Sequence, residues 1–356
     1  MDTVLIRADG SPTLGLGHIT RCLALAHAFA ERSVRPHFIC KHLDSRVQQR
    51  VAEAGYACHP LPPDLSLEND ADALARLASE RVARAVVVDL CNIAVTAQPV
   101  AYTGYLHRIA HNFSTIIIDD LTRTVFPCAV VVNPNPGVDP TEYDVTLRPT
   151  LFLGPAYAML HPAFRGAAQA RRRPDGPVKT VAVALGGGIL GYEVLRGVLY
   201  GIREGLGPAV GVRVVAGADP SVATQLASDL VAFTGSCAVL SNLSHLADLF
   251  HETDLAIVSG GVTKFESAAA GAATVMLAQV EHQEEWAKAF EKTGAAIYIG
   301  HAASVAPSSI AAICRTLSED VPLRQRLVER GAAVVDGWGT VRVAQAVLDL
   351  PVTTNE

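Results

Sequence analysis

The chain has no C-x-x-C pair, no strong excess of positive charge and no short-period repeat or low-complexity tract. Nor does it have an uncharged apolar run of the roughly 18 residues that a membrane span requires. Each absence removes a class of protein. The cysteines are Cys22, Cys40, Cys58, Cys91, Cys128, Cys237 and Cys314, odd in number and widely spaced. They fit no disulfide framework and read as small core residues of a reduced, cytoplasmic protein. The first residues enter a strand-like run at 3–8, with no basic region leading into a long apolar one. Neither a secretory signal nor a membrane span is predicted. A formal net charge of -6 gives no general attraction to nucleic acid or to an anionic membrane. An anionic ligand would have to be held by local groups.

What remains is a folded, apolar-rich chain. Half of its 356 residues are hydrophobic and 18% are charged, the balance of a globular protein. That length exceeds one core of ordinary size and predicts two domains. Short Val/Ile-rich runs at 3–8, 36–40, 85–89, 114–119 and 129–133 alternate with helical stretches such as 18–33 and 70–83. A second series at 179–185, 212–217, 255–259, 273–277 and 296–300 alternates with helices near 191–205, 242–252, 263–270 and 282–293, and late helices fill 305–317 and 320–348. Continuous apolar strands separated by helices are the pattern of parallel sheets covered on both faces. The segment 161–179 is basic, polar and Pro/Gly-bearing, a linker composition. The expectation is α/β: two Rossmann-like domains facing across a cleft, an amino-terminal domain over 1–165 and a carboxy-terminal one over 175–350. Ligands of such sheets sit beyond the carboxyl ends of the strands, so chemistry is sought in the loops that follow them.

Four loops qualify. After the first strand comes "GSPTLGLGHITRC", in which Gly15 and Gly17 precede His18 at the start of a helical pattern. Glycines let backbone approach a ligand, and a helix start offers free N–H groups to an anion. The positive end of the helix disfavours a charged imidazole, and a neutral one can accept a proton from water. The plainer reading is a structural cap. The spacing is G-x-G-H, not the dinucleotide G-x-G-x-x-G. In "SGGVTKFESAAAG", Gly260, Gly261 and Thr263 begin a helix after a strand, and Glu266 follows one turn on. A carboxylate there suits the two hydroxyls of a ribose; a glycine turn with a solvent-facing glutamate is the alternative. "LGGG" at 185–188, with Gly186 and Gly187, can approach a diphosphate or form a tight turn. "VEHQEEW" puts His282 and Gln283 at another helix start. Asp89 and the pair Asp119–Asp120 also follow strands. Adjacent carboxylates point in different directions, which favours capping and hydrogen bonding over a metal site. Neither a metal nor a cofactor is expected.

Taken together, the segments at 7–26, 117–123, 131–136, 152–164, 241–277 and 282–296 fall in the same order as in the PseG family. Those enzymes are UDP-2,4-diacetamido-2,4,6-trideoxy-β-L-altropyranose hydrolases. The resemblance covers roughly residues 1–300 and implies the GT-B fold, shared with the glycosyltransferase MurG. It implies that His18 activates water at an anomeric carbon with release of the nucleotide and inversion. It also implies that Gly260, Gly261, Thr263 and Glu266 hold the nucleotide. Three positions depart from the family pattern. Asp89-Leu90-Cys91 stands where the family has Asp-x-Tyr, His282-Gln283 where it has Asn-Gln, and Ile189 where an aspartate follows the glycines. The resemblance therefore implies the same nucleotide-handling core with an altered pocket, which Asp89 and Cys91 would line. The expected activity is hydrolysis of a nucleotide-activated sugar, such as a UDP-sugar, by a monomer or small homo-oligomer. The alternative is a GT-B glycosyltransferase using the same donor.

Overall fold

The computed structural model describes residues 2–11, 14–42, 45–90, 98–121, 128–143, 149–170, 174–186, 191–217, 220–241 and 243–351. The chain forms two compact units. The first is Met1–Pro162 together with Trp338–Glu356, and the second is Ala163–Gly337.

The first unit is built on a seven-stranded sheet. Its strands are β1 (Thr3–Ala8), β2 (Arg35–Cys40), β3 (Ala57–Pro60), β4 (Ala83–Asp89), β5 (Ser114–Ile118), β6 (Val130–Asn133) and β7 (Thr150–Leu153). They run parallel in the order β3-β2-β1-β4-β5-β6-β7. Helices α1 (Gly17–Ala30), α2 (Ser45–Glu53), α3 (Leu67–Glu80) and α4 (Pro99–Ala110) lie between strands. Side chains alternate between the two faces of a strand, and both faces of this sheet are dry. Val4, Ile6 and Ala8 of β1 pack with Ile19, Cys22, Leu25 and Phe29 of α1. Leu5 meets Leu74 and Ala78 of α3 and Leu106 of α4 on the other face. Arg7 shares that second face and is buried; its guanidinium donates to Asp9 and Asp70, while Tyr105 donates to Asp70. Asp9 also accepts the backbone N–H groups of Lys41 and His42. The start of the loop after β1 is thereby fastened to the end of β2.

The second unit repeats the plan with six parallel strands. They are β8 (Thr180–Ala184), β9 (Gly211–Val215), β10 (Ala238–Leu240), β11 (Leu255–Ser259), β12 (Ala273–Ala278) and β13 (Ala296–His301), ordered β10-β9-β8-β11-β12-β13. Its helices are α5 (Tyr192–Leu206), α6 (Pro220–Leu230), α7 (Ala247–His251), α8 (Thr263–Ala269), α9 (Glu281–Glu291), α10 (Pro307–Glu319) and α11 (Val321–Val334).

The late helical stretch is interrupted. After Gly337 the chain leaves the second unit, and α12 (Gly339–Asp349) belongs to the first. Val343, Ala344 and Val347 are fully buried in the same cluster as α1. The Thr340 hydroxyl donates to the Leu160 carbonyl at 2.8 Å and accepts from the Leu160 N–H at 3.0 Å. An expected second domain running on to residue 350 therefore differs from the unit observed, because the apolar face of α12 matches α1. In both sheets the direction of strand addition reverses once, between β1 and β4 and between β8 and β11. Crevices at such reversals are where ligands of parallel sheets are held.

Candidate active site

His18 is the second residue of α1, which follows β1. Asp89 is the last residue of β4 and pairs with Ala8 at the end of β1. The first unit's reversal point thus brings them together. The His18 Nδ1 and Asp89 Oδ1 lie 2.6 Å apart, with Asp89 fully buried and His18 only 7% exposed. Asp89 also accepts from Arg21 on both oxygens, Nε to Oδ2 at 2.7 Å and Nη2 to Oδ1 at 2.6 Å, and from the Cys22 thiol at 3.5 Å. Burial alone would raise the Asp89 pKa. Arg21, and then His18, outweigh it and hold the carboxyl well below the ordinary carboxylate range. A carboxylate only accepts hydrogen bonds, so Nδ1 donates to it. That leaves Nε2 of the neutral ring as the proton acceptor. A histidine oriented by a buried carboxylate in this way is also stabilised as it becomes charged.

Arg21 reaches past Asp89 to Asp120, with Nη1 to Oδ1 at 2.9 Å and Nη2 to Oδ2 at 2.8 Å. The neighbouring Asp119 points elsewhere. It accepts from the Leu121 N–H at 2.9 Å and the Tyr143 hydroxyl at 2.6 Å, and Tyr143 in turn accepts from Asn133. Sequence reasoning named His18 and Asp89 but not the bond between them, and it missed Arg21. A signal was present: Arg21 lies three residues after His18, on a helix face otherwise made of Ile19, Cys22 and Leu25.

The loop before His18 has its own geometry. Gly15 takes the left-handed conformation, φ +77°, which only glycine adopts without strain. It bridges back to Ser11, whose hydroxyl accepts from the Leu14 N–H at 3.1 Å. Gly17 opens the helix.

In the second unit, Gly186 follows β8 with φ +100°. A Cβ there would lie 3.4 Å from Gln279 Nε2 and 3.7 Å from the Ser259 hydroxyl. Gly187 and Cys91 lie outside the described residues, as does Ile189. Ser259, at the end of β11, shares a 2.8 Å hydrogen bond with Thr263. Gly260 answers a steric demand, since a Cβ would sit 3.0 Å from the Gln283 carbonyl oxygen. Gln283 accepts the Gln279 N–H on its side-chain oxygen at 3.0 Å, while His282 is exposed. Gly261 precedes α8, on which Thr263 and Glu266 lie, and Glu266 is buried rather than solvent-facing. Sequence reasoning also missed Lys264. It is 2% exposed and donates to the Gly260 carbonyl at 2.7 Å, with its ammonium 4.3 Å from the Phe265 ring centre. Among the described residues no helix is long and apolar enough to cross a membrane, and no three His, Cys, Asp or Glu side chains cluster as a metal site.

Solved structures share this architecture over nearly the whole chain. MurG of Acinetobacter baumannii is similar with a TM-score of 0.69 at 15% identity, covering 98% of this chain and 100% of that one. The fold is GT-B. The glycosyltransferase VinC, solved in complex with dTDP, is similar with a TM-score of 0.60 at 14% identity, covering 97% and 99%. Over 210 residues the chain is 27% identical to SpsG, a spore coat polysaccharide biosynthesis protein of Bacillus subtilis, a match covering 56% of this chain and 58% of that protein. The chain spans little more than half the length of the curated relatives it matches. No protein-family model matches it.

Proposed function

We propose that this protein is a GT-B enzyme that cleaves a nucleotide-activated sugar and transfers the glycosyl group to a hydroxyl acceptor, with His18 as general base. The observation that carries the reading is the 2.6 Å contact from His18 Nδ1 to the buried Asp89, which leaves Nε2 as the base. In the reaction the acceptor O–H gives its proton to Nε2. Its oxygen bonds to the anomeric carbon while the bond from that carbon to the diphosphate oxygen breaks. The nucleoside diphosphate leaves with that electron pair. A single displacement of this kind inverts the anomeric centre. We assign the nucleotide to the second unit, to the turn bearing Gly260, Gly261, Thr263 and Glu266, with Glu266 on the ribose hydroxyls and Gly186 and Gln283 beside it. The resemblance of the G-G-x-T-x-x-E block supports this, as does its position at that sheet's reversal point. The glycosyltransferases that share the fold, and the polysaccharide role printed for SpsG, favour an acceptor other than water.

Hydrolysis is the second reading, because the G-x-G-H loop resembles that of the PseG hydrolases. One assay separates the two. Wild type and His18→Ala are incubated with UDP-, GDP-, CMP- and dTDP-sugars, with EDTA present, with and without sugar alcohols as acceptors. Nucleotide release that depends on an acceptor, and falls about a hundredfold or more in the variant, is the expected result. Release without acceptor makes water the acceptor. Release that survives in His18→Ala, or no release from any donor, overturns the proposal.

A further inference from the structure

A second group of titratable side chains lies on the other face of the first sheet. His37 of β2 stands beside Leu5 of β1 and two residues before Ile39, on the face that α3 covers. His59 of β3 stands beside Ile39. Arg81 follows the end of α3, three residues beyond Ala78 of the same cluster. Helix α1, which carries His18, covers the opposite face. The two rings stack with centres 5.4 Å apart, and His37 Nδ1 lies 3.1 Å from His59 Nε2. One of these nitrogens must donate to the other, so the neutral pair has one outer N–H and one bare outer nitrogen. A single added proton keeps that hydrogen bond and makes both outer nitrogens donors. The charges facing the pair are all positive. Burial, then Arg81, His59 and Arg35, push His37 down to about 4, and burial with Arg81 lowers His59 as well. No carboxylate is among these groups. The Arg81 Nε is buried with no hydrogen-bond partner among the described residues. Cations gathered without a counter-charge, and a buried donor without an acceptor, both cost stability. An anion relieves both.

We propose that His37, His59 and Arg81 bind a doubly charged oxyanion, a sulfate or a phosphate group, at a site separate from the candidate active site. The guanidinium supplies a standing charge. The ring pair supplies a second charge, which arises only when it takes up a proton. Binding and proton uptake are therefore linked: the anion raises the affinity of the rings for a proton, and falling pH raises their affinity for the anion. His37 is buried, while His59 and Arg81 are half-buried and leave the anion a way in. The site needs no role for His18 and stands whether or not the chain transfers sugars.

The full chain, labelled with 15N-histidine, is titrated with sodium sulfate at constant ionic strength, with chloride as the balancing ion. The His37 and His59 ring signals are identified among the 12 histidines by their loss in His37→Gln and His59→Gln. At a pH of about 5.5 sulfate is expected to move the His37 signals saturably toward the protonated form. The ring pKa should rise by about one unit, the equivalent of about tenfold tighter binding to the protonated pair. Half-saturation is expected to need more sulfate as pH rises. Arg81→Gln is expected to act in two opposed ways. It raises the His37 pKa in chloride, because a cation has gone, and it weakens sulfate binding about tenfold. Arg108→Gln, on α4, is the control and is expected to do neither. Melting curves in chloride keep folding apart from binding. If Arg81→Gln does not fold, His59→Gln, read on the His37 signals, is expected to show the same tenfold loss. Glycerol phosphate is compared with sulfate near neutral pH. Tighter binding of the ester assigns the site to the phosphate group of a larger molecule, and equal or weaker binding assigns it to the free anion. His37 and His59 signals that stay still, or that drift with every other histidine without saturating, overturn the proposal. So does a folded Arg81→Gln that binds sulfate like wild type.

Discussion

At the scale of single residues, the first unit places charge where it can be used and fastens it there. Asp89 is surrounded by donors on both oxygens, which fixes its direction as well as its ionisation. Asp89→Asn keeps the shape but removes the charge, and its amide can donate toward the ring. The rate of the proposed glycosyl transfer is expected to fall by roughly 10²–10⁴-fold, with the melting temperature changing much less than the rate. A rate within a few-fold of wild type would mean that His18 does not depend on Asp89. His18 was legible in the sequence because a glycine-rich loop singled it out. Arg21 was not, because an arginine inside a helix has commoner explanations; Asp120 was read as a capping or hydrogen-bonding carboxylate, without its partner. Only their convergence across residues 21, 89 and 120 brings the network into view. Lys264 escaped for a similar reason: in sequence nothing distinguishes a buried lysine from an exposed one.

At the scale of elements, the central strands and the edge strand β13 were readable, and the other edges were not. β1, β4, β5, β8, β11 and β12 are apolar on both faces and stand out as Val/Ile/Ala runs. β3, β7 and β10 lie at sheet edges, where strands are short and half covered. "ACHP", "TLFL" and "AVL" carry little pattern. Packing between elements gives the second unit its sharpest constraint. The start of α9 runs against the turn after β11 and leaves no room for a side chain at Gly260. Gly260→Ala is expected to cost about 1–3 kcal/mol by overpacking, read as a lower denaturation midpoint with an unchanged denaturant slope. Gly261→Ala, which would meet only ordinary contacts, is the control. Equal losses in the two would mean that backbone freedom, not space, explains the glycines.

At the scale of the whole molecule, acid is the stress to which the buried charges are most sensitive. Asp9, Asp89 and Asp120 would be raised by burial, but Arg7 and Arg21 hold them below the ordinary 3.8. A carboxyl depressed on folding stabilises the native chain above its unfolded value, and that contribution is lost as pH falls through the lower one. His37 acts earlier. It is pushed from 6.5 down to about 4 by burial, then by Arg81, His59 and Arg35. It binds its proton better in the unfolded chain, so stability declines as pH drops from 6.5 toward 4. The melting temperature is expected to fall gently across that window and steeply below it. His37→Gln should flatten the first part and leave the second. If the variant follows the wild-type curve from 6.5 to 4, His37 is not the group responsible.

The return of α12 to the first unit has a consequence for the order of events during synthesis. The second unit is one uninterrupted stretch, 163–337, set inside the first. A ribosome completes it before it has made α12. The first unit, although begun earlier, still lacks Val343, Ala344 and Val347 against α1 at that moment. Domains usually mature from the amino terminus during translation; here the unit that starts first is the last to be sealed. Nascent chains stalled short of residue 338 should therefore carry a protease-resistant inner unit and a protease-sensitive outer one.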